Sequence, residues 1–230
     1  MKKPNGYIIH EDAHRVIVAT GFSRKSSNRK TGPMIQVWIL VRSEDPLQAI
    51  ASGRDRLICG SCPLRGANGR ARACYVNVGQ APAQIWKAYK SGSYPPLTDY
   101  SVFAGHTVRF GAYGDPTHIP YEIARRIVNA AQGHTGYTHQ WRKPSFQPWR
   151  AIVMASVETD ADRAQAQALG WSTFQVTPRG SKAPSPSINC LSDSKGVQCH
   201  DCLLCSGTRT TPRSIYIEAH GSGAKYVANN

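Results

Sequence analysis

Seven cysteines are the residues of this 230-residue chain whose type and spacing point most directly to chemistry, and they fall into two groups. The spacing is C-x2-C-x11-C in the first group and C-x8-C-x2-C-x2-C in the second. Thiolates two residues apart reach one small volume, as a tetrahedral metal ion or an iron–sulfur cluster requires. An odd number of cysteines with these spacings is typical of metal sites rather than of a disulfide framework. We therefore expect metal ligands at Cys59, Cys62 and Cys74 in the first cysteine group and at Cys190, Cys199, Cys202 and Cys205 in the second.

The second cysteine group has enough sulfurs to close a coordination shell by itself. Such a shell holds structural zinc, or an iron–sulfur cluster that transfers electrons or cross-links the fold. The alternative is a set of buried free thiols, which is common for a single C-x-x-C pair. Four cysteines within sixteen residues favour the metal.

The first cysteine group contains no fourth sulfur. A [4Fe–4S] cluster held by three thiolates leaves one iron open to a substrate or cofactor, and open sites are the ones that do chemistry. The alternative is a zinc site completed by a histidine, which would pin the loop 59–80. No histidine lies between residues 15 and 105, so the candidates for this fourth ligand come later in the chain: His106, His118, His134 and His139.

The charge of the chain favours a polyanionic partner. Lys and Arg number 28 against 14 Asp and Glu, which gives a net charge of +14. Such an excess suits nucleic acid or a nucleotide, although a basic surface can also serve solubility. The segment SRKSSNRKTG (23–32), called the basic loop below, offers side chains suited to phosphate oxygens: Arg24, Lys25, Arg29 and Lys30.

Nothing in the sequence indicates a membrane protein. No apolar run approaches the roughly 20 residues that a membrane-spanning helix needs, and the N-terminal segment has no secretory apolar region. We expect a soluble protein in the cytoplasm, with no membrane as partner.

The pattern of elements predicts an α/β protein. Two β-branched segments, 15–23 and 34–42, predict an N-terminal hairpin or meander. After helices over 45–57 and 81–92, strands alternate with helices, which is the pattern of βα units in a partial barrel or a mostly parallel sheet. We expect the segment 100–115 to end in an apolar strand, and further strands at 135–141, 150–157, 172–178 and 213–220. Helices are expected over 120–133 and over 160–170, the last capped by Asp160.

We expect a single domain, 1–230, in three parts. An N-terminal β element (1–43) precedes the βα core with the first cysteine group (44–178). A C-terminal Cys-rich, metal-binding segment with the last strand (179–230) follows.

Residues at the carboxyl ends of the predicted strands are candidates for catalysis, because such ends form the ligand crevice of βα sheets. His139, Asp115 and Arg142 there offer a titratable imidazole, an acid or base, and an anion-binding guanidinium. The alternatives are a structural histidine at 139 and a turn residue before Pro116 at 115.

Four motifs in order resemble an uncharacterised Cys-rich family of bacteriophages and bacteria. They are CGSCPLRG…ACYVNVGQAP, RFGAYGDP, TGYTHQWR and ASVETDADRAQAQALGWSTFQV, and the resemblance covers the chain from about residue 30 onward. A phage origin would place the protein in the host cytoplasm.

More distantly, the layout is similar to that of radical S-adenosylmethionine enzymes, whose usual C-x3-C-x2-C spacing differs from the spacing here. The resemblance implies an open cluster on the first cysteine group and an auxiliary cluster on the second. It also implies that a Gly-rich strand end contacts S-adenosylmethionine through Gly111, Tyr113, Gly114 and Asp115.

Two functions follow from these observations. The first is a metal-dependent, iron–sulfur, radical-S-adenosylmethionine-like enzyme that acts on a nucleotide or nucleic acid. The second is a zinc-stabilised nucleic-acid-binding protein without catalytic activity, in which both cysteine groups only hold loops together.

Overall fold

The structure is a computed structural model that describes residues 3–66, 69, 71–221 and 223–229. Ten strands form two five-stranded sheets, one mixed and one parallel. The strands are β1 (Gly6–Glu11), β2 (Arg15–Thr20), β3 (Ile35–Val41), β4 (Thr107–Tyr113), β5 (Gly133–Thr135), β6 (Tyr137–Thr138), β7 (Met154–Val157), β8 (Thr173–Thr177), β9 (Ile188–Asn189) and β10 (Ser214–Glu218). The prediction of an α/β protein is confirmed.

The first sheet has the order β1-β2-β3-β4-β5. Its strands β1, β2 and β3 form an antiparallel meander, in which Arg15 pairs with Val41 and Thr20 with Gln36. Strands β4 and β5 then add in parallel to β3. The predicted N-terminal meander is therefore confirmed, with β1 as an additional strand that the sequence pattern did not predict.

The second sheet is parallel throughout, in the order β6-β7-β8-β10-β9. One residue, Gly136, separates β5 of the first sheet from β6 of the second. Its amide donates to the carbonyl of Cys205 at 3.1 Å, and its carbonyl accepts from Met154 at 3.0 Å. A Cβ atom at this position would lie only 2.7 Å from Cγ1 of Val153, so glycine is required where the chain passes between the sheets.

Helices connect the parallel strands, as βα units require. They are α1 (Pro46–Ala51), α2 (Arg56–Cys59), α3 (Ala81–Lys90), α4 (Tyr121–Ala130), α5 (Asp160–Ala168), α6 (Leu191–Ser194) and α7 (Cys199–Cys202). Short 3-10 segments cover Pro63–Arg65, Tyr100–Phe103, Pro116–His118, Pro144–Ala151 and Ala224–Asn229. Across the described residues, none of the helices has both the length and the apolar composition that crossing a bilayer requires.

Several predicted boundaries were wrong. The helix expected over 45–57 ends at Ala51, and a separate helix, α2, begins at Arg56. Helix α5 is capped by Thr159, whose side chain accepts from the amide of Asp162 at 3.0 Å, so Asp160 is the first helical residue and not the cap. The strand predicted over 150–157 begins only at Met154, because the 3-10 segment Pro144–Ala151 occupies its first residues.

Tryptophans fill the core rather than offering their rings to bases. Trp141 and Trp171 are fully buried and Trp149 nearly so. The indole of Trp141 donates to the carbonyl of Ser156 at 2.9 Å, and that of Trp171 to Oε1 of Gln147 at 2.8 Å. These three rings are unavailable for base stacking.

Candidate metal centres and the cavity between them

Both cysteine groups line one cavity of about 290 Å³. The first sheet contributes Arg109, Gly111 and Tyr113, which are alternate residues of β4, as expected for one face of a strand. The second sheet contributes side chains from four of its strands: Tyr137, Ser156, Phe174, Val176 and Ile217. The cysteines on the cavity wall are Cys59, Cys62 and Cys74 from the first group and Cys190 and Cys199 from the second. Two groups that lie more than a hundred residues apart in the chain therefore face the same space.

The first cysteine group sits where α2 ends. The amide of Cys62 donates to the carbonyl of Cys59 at 3.2 Å, and the amide of Cys74 to that of Leu64 at 2.8 Å, which turns the loop back on itself. Burial raises the pKa of the Cys59 thiol well above its ordinary value, and the nearby thiols of Cys62 and Cys74 raise it further. Burial also raises the pKa of the Cys74 thiol. Thiolates on one loop are a fitting donor set for a soft metal cation, which would replace their protons.

An ion-paired carboxylate fixes the loop of the first cysteine group. The side chain of Asp55 is only 2 % exposed and pairs with the guanidinium of Arg65, which also donates to the carbonyl of Gly53 at 3.0 Å. Arg72 lies 3.8 Å from the other oxygen of Asp55 and donates to the carbonyl of Arg65 at 3.3 Å. One buried anion thus holds both arms of the loop, of which residues 67, 68 and 70 lie outside the described part.

His139 is the histidine that the structure brings to the first cysteine group. Its Nε2 atom lies 4.0 Å from Sγ of Cys62 and 2.8 Å from Oε1 of Glu158. Burial lowers the pKa of His139, but Cys62 and Glu158 outweigh this and hold the pKa well above its ordinary value. The imidazole therefore lies beside the sulfurs as a proton carrier or as a fourth donor.

The other three histidines considered as ligands are placed elsewhere. Nδ1 of His118 lies 3.1 Å from a guanidinium nitrogen of Arg15. The rings of His106 and His134 pack edge-on against Phe22 and Phe110.

Backbone geometry explains both glycines of GAYGDP. Gly111 has φ +71° and Gly114 has φ +81°, the left-handed region that favours glycine. A Cβ on Gly114 would lie 2.7 Å from Cβ of Ile39, and one on Gly111 would lie 2.8 Å from the carbonyl oxygen of Gly114. The glycines are thus required by the turn, which also leaves the strand end open to the cavity.

Asp115 ties the strand end to its neighbours. Its carboxylate accepts from Oγ1 of Thr117 at 2.8 Å, from Oγ1 of Thr138 at 2.8 and 2.9 Å, and from the amide of His139 at 2.9 Å. Its amide donates to the carbonyl of Ile58 at 2.7 Å, one residue before Cys59. With both oxygens engaged, Asp115 positions the first cysteine group and His139, in keeping with the turn alternative.

Tyr113 presents an unused polar group beside the first cysteine group. Its hydroxyl is buried and has no hydrogen-bond partner among the described residues. Burial raises the pKa of this phenol far above its ordinary value, and Cys59 adds to the effect. A buried O–H without a partner fits a site that expects a ligand.

Arg142 lies outside the cavity, in an adjacent surface pocket. Its guanidinium pairs with the carboxylate of Asp162 and stacks 3.9 Å from the centre of the Trp141 ring. His139 lines both this pocket and the cavity. Of the three predicted catalytic residues, His139 and Asp115 therefore line the cavity with the first cysteine group, whereas Arg142 lines only the adjacent pocket.

The second cysteine group is joined to the basic loop by backbone hydrogen bonds. The amide of Cys199 donates to the carbonyl of Lys30 at 2.8 Å, and the amide of His200 donates to the carbonyl of Thr31 at 3.1 Å. The amide of Cys190 donates to Tyr216 of β10 at 2.8 Å, which brings the group to the second sheet. Burial raises the pKa of the Cys205 thiol to about 12; the Tyr137 hydroxyl opposes this rise, and Cys199, Cys190 and Cys202 add to it.

The basic loop presents free cations on the surface next to the second cysteine group. Arg24, Lys25 and Arg29 are exposed and form no ion pair within the described part of the chain. Lys30 is paired with Asp193 at 3.2 Å. Three of the four predicted phosphate contacts are therefore available to a polyanion.

The fit of a metal to these sites rests on donor chemistry. Among the described side chains, no three of the Cys, His, Asp and Glu type stand close enough together to form a ready-made coordination sphere. The sulfurs of each group nevertheless lie within electrostatic reach of one another, as their mutual effects on pKa show.

Sequence reasoning missed Arg109 of β4, although a signal was present. In TVRFGAY the apolar Val108 and Phe110 alternate with Arg109 and Gly111, which puts an arginine on the opposite face from the core. Tyr75 and Asp55 were also missed, and no local pattern marks either of them as part of a site.

Comparison with known proteins gives no matching family model, no matching curated protein and no matching solved structure.

Proposed function

We propose that this protein is an iron–sulfur enzyme, similar to radical S-adenosylmethionine enzymes, that acts on a nucleotide or nucleic acid. One observation carries the proposal. The three cysteines of the first cysteine group and the strand end at Gly111 and Gly114 line the same cavity. A redox-active metal group and a cofactor would there meet a substrate.

The finer architecture in this proposal is a partial barrel. Strands β3, β4 and β5 run parallel in the first sheet, β6, β7, β8 and β10 run parallel in the second, and Gly136 links the two. Inward-facing residues of both sheets enclose the cavity. Ligands of parallel βα folds bind at the carboxyl ends of the strands, which is where GAYGDP and His139 lie.

Each residue around the cavity would have a distinct role in the proposed enzyme. Cys59, Cys62 and Cys74 would hold a [4Fe–4S] cluster, whose chemistry is to supply one electron to S-adenosylmethionine at its open iron. The Tyr113 hydroxyl would donate a hydrogen bond to the bound cofactor, and the bare backbone of Gly111 would permit its close approach. His139 would hold a proton at Nε2 at the mouth of the site.

Two features support a nucleotide or nucleic acid as the partner. The net charge of +14 attracts polyanions, and the exposed side chains of Arg24, Lys25 and Arg29 carry no internal counterion among the described residues. In the proposed enzyme the second cysteine group fastens this basic loop to the second sheet, either with an auxiliary iron–sulfur cluster or with zinc.

The test is the metal content of protein purified without oxygen. We expect a brown protein that contains iron and acid-labile sulfide, and S-adenosylmethionine binding by the wild type. The variant Cys59→Ser should lose this binding, whereas the matched variant Cys202→Ser should keep it, because only the first cysteine group adjoins the strand end. A colourless wild-type protein with zinc and no iron would overturn the proposal.

A specific observation favours the second candidate, a zinc-stabilised nucleic-acid-binding protein without catalysis. Nε2 of His139 lies 4.0 Å from Sγ of Cys62, and it would complete a Cys3His zinc site if the metal took the place of its hydrogen bond to Glu158. This candidate expects zinc at both groups, no iron, and nucleic-acid binding that survives anaerobic and aerobic purification alike.

A further inference from the structure

Arg109 places a cation on the wall of the cavity. It is a central residue of β4, and its side chain points away from the core and lines the space between the two cysteine groups. Its guanidinium donates to the hydroxyl of Tyr75, which lies next to Cys74. Burial lowers the pKa of Arg109, yet the hydroxyls of Tyr75 and Tyr137 and the sulfur of Cys199 outweigh it, so the group stays charged.

No carboxylate of the described residues neutralises Arg109. Arginines elsewhere in the chain, such as Arg65, Arg72 and Arg163, pair with an aspartate. Asp115 is the one carboxylate that the described residues place on the cavity wall, and both of its oxygens accept hydrogen bonds, from Thr117, Thr138 and His139. The guanidinium is half-buried and faces the cavity without a counter-ion among the described residues, so an anion in the cavity would meet an unpaired cation there.

The remaining walls fit a flat organic group. Phe174, Val176 and Ile217 give the cavity an apolar side, and the rings of Tyr137 and Phe174 lie 4.4 Å apart. The volume of about 290 Å³ is at the lower end for small-molecule pockets, roughly 300–1,000 Å³. This volume suits a small molecule of about mononucleotide size.

We propose that Arg109 binds the phosphate or carboxylate group of a planar substrate of mononucleotide size inside this cavity. This rests on the proposed function, since it names the class of its substrate. The guanidinium suits the role because it can donate two parallel N–H bonds to a phosphate or carboxylate. The apolar wall around Phe174 then receives the planar part.

The test is equilibrium binding of matched anionic and neutral probes to the anaerobically purified protein. The pairs are AMP with adenosine, and benzoate with benzamide, so that phosphate and carboxylate are told apart. We expect wild-type protein to bind at least one anion about 10- to 100-fold more tightly than its neutral partner. Arg109→Gln should abolish that preference, Arg109→Lys should retain part of it, and the exposed control Arg125→Gln should retain it fully.

Several outcomes would overturn the inference. The inference would be wrong if the wild type bound an anion and its neutral partner equally, or if it bound no probe at millimolar concentration. It would also be wrong if Arg109→Gln kept the preference for the anion. A change in metal content alone in Arg109→Gln would also overturn it, because Arg109 would then serve only to balance the thiolates near Cys199. Competition of AMP by inorganic phosphate in the wild type gives a readout that needs no variant to fold.

These outcomes separate the inference from the proposed function. A zinc protein without iron that loses AMP preference in Arg109→Gln would refute the iron–sulfur enzyme and keep the anion site. An iron protein that binds S-adenosylmethionine but treats AMP and adenosine alike would refute the anion site and keep the enzyme.

Discussion

Nε2 of His139 donates a hydrogen bond to Oε1 of Glu158 at 2.8 Å, while the same nitrogen lies 4.0 Å from Sγ of Cys62. A carboxylate only accepts hydrogen bonds, so this nitrogen must carry the proton. A protonated nitrogen has no lone pair for a metal ion. In this arrangement Glu158 keeps His139 beside the first cysteine group as a proton donor and leaves three sulfurs as the metal ligands.

We therefore expect His139→Asn to keep the metal content of the first cysteine group. Metal analysis of the purified variant measures this directly, with the exposed residue His14 changed to Asn as the control. Loss of one zinc per chain from His139→Asn alone would instead identify a Cys3His site and favour the second candidate function.

Removal of the Asp55 carboxylate should destabilise the protein strongly. Asp55→Ala leaves the guanidiniums of Arg65 and Arg72 without their buried partner, and such a break costs about 3–5 kcal/mol. For a chain of this size we expect the melting temperature to fall by about 6–20 °C. The control Glu122→Ala breaks an exposed pair with Arg125 and should change stability by about 1 kcal/mol or less. Equal effects of the two variants in thermal melts would contradict this account.

Stability should fall as the pH drops from about 6.5 towards about 4, in part through His134. Burial lowers the pKa of His134 to about 4. The nearby charge of Arg209 lowers this pKa further, whereas hydrogen bonds to the backbone of Ile152 and Ser206 raise it in part. In the unfolded chain this histidine binds a proton below about pH 6.5, whereas in the folded chain it binds one only below about pH 4. Its contribution to the free energy of unfolding is therefore fully present above pH 6.5. Acidification from pH 6.5 to pH 4 removes that contribution, by up to about 3 kcal/mol.

Urea unfolding at pH 7 and pH 5 measures this effect. The loss of stability between the two values should be smaller in His134→Gln than in the wild type. The exposed control His14→Gln should lose as much as the wild type. An identical pH dependence in all three proteins would show that His134 does not contribute.

Binding of nucleic acid should depend on salt through the free cations of the basic loop. Each phosphate contact makes the negative slope of log affinity against log salt steeper by about 1. The double variant Arg24→Gln/Arg29→Gln should thus make this slope shallower by about 2 and weaken the binding of all sequences alike. Lys30→Gln should have less effect, because Lys30 is already paired with Asp193. Fluorescence anisotropy with a labelled oligonucleotide across a salt series measures the slope, and an unchanged slope would contradict the prediction.

The βα pattern was predictable because its apolar segments and glycine stops are local. The strand β8 and the helices α3 and α4 lie within one to three residues of the expected ends. Strand β1, GYIIHE, was not predicted, because its partly polar composition acquires strand structure only by pairing with β2. The cap of α5 was misplaced by one residue, since Thr159 and Asp160 are both good capping residues and only the backbone decides between them.

The site was predictable in its residue types but not in its arrangement. The spacing of cysteines indicates which sulfurs act together, yet their meeting around one cavity depends on the return of the chain through β10 and on the bonds of Cys199 to the basic loop. Arg142 follows His139 closely in sequence but faces Asp162, because Trp141 between them is buried in the core.

The hydrogen bonds between the basic loop and the second cysteine group also join segments of the chain that are synthesised at different times. Gln198 and Arg29, 169 positions apart, are joined by a side-chain bond to a backbone carbonyl. At about 5–20 residues per second, a ribosome needs roughly 10–30 s to make the intervening chain. Until then the basic loop lacks these hydrogen-bond partners, so it can dock only after the second cysteine group has been made.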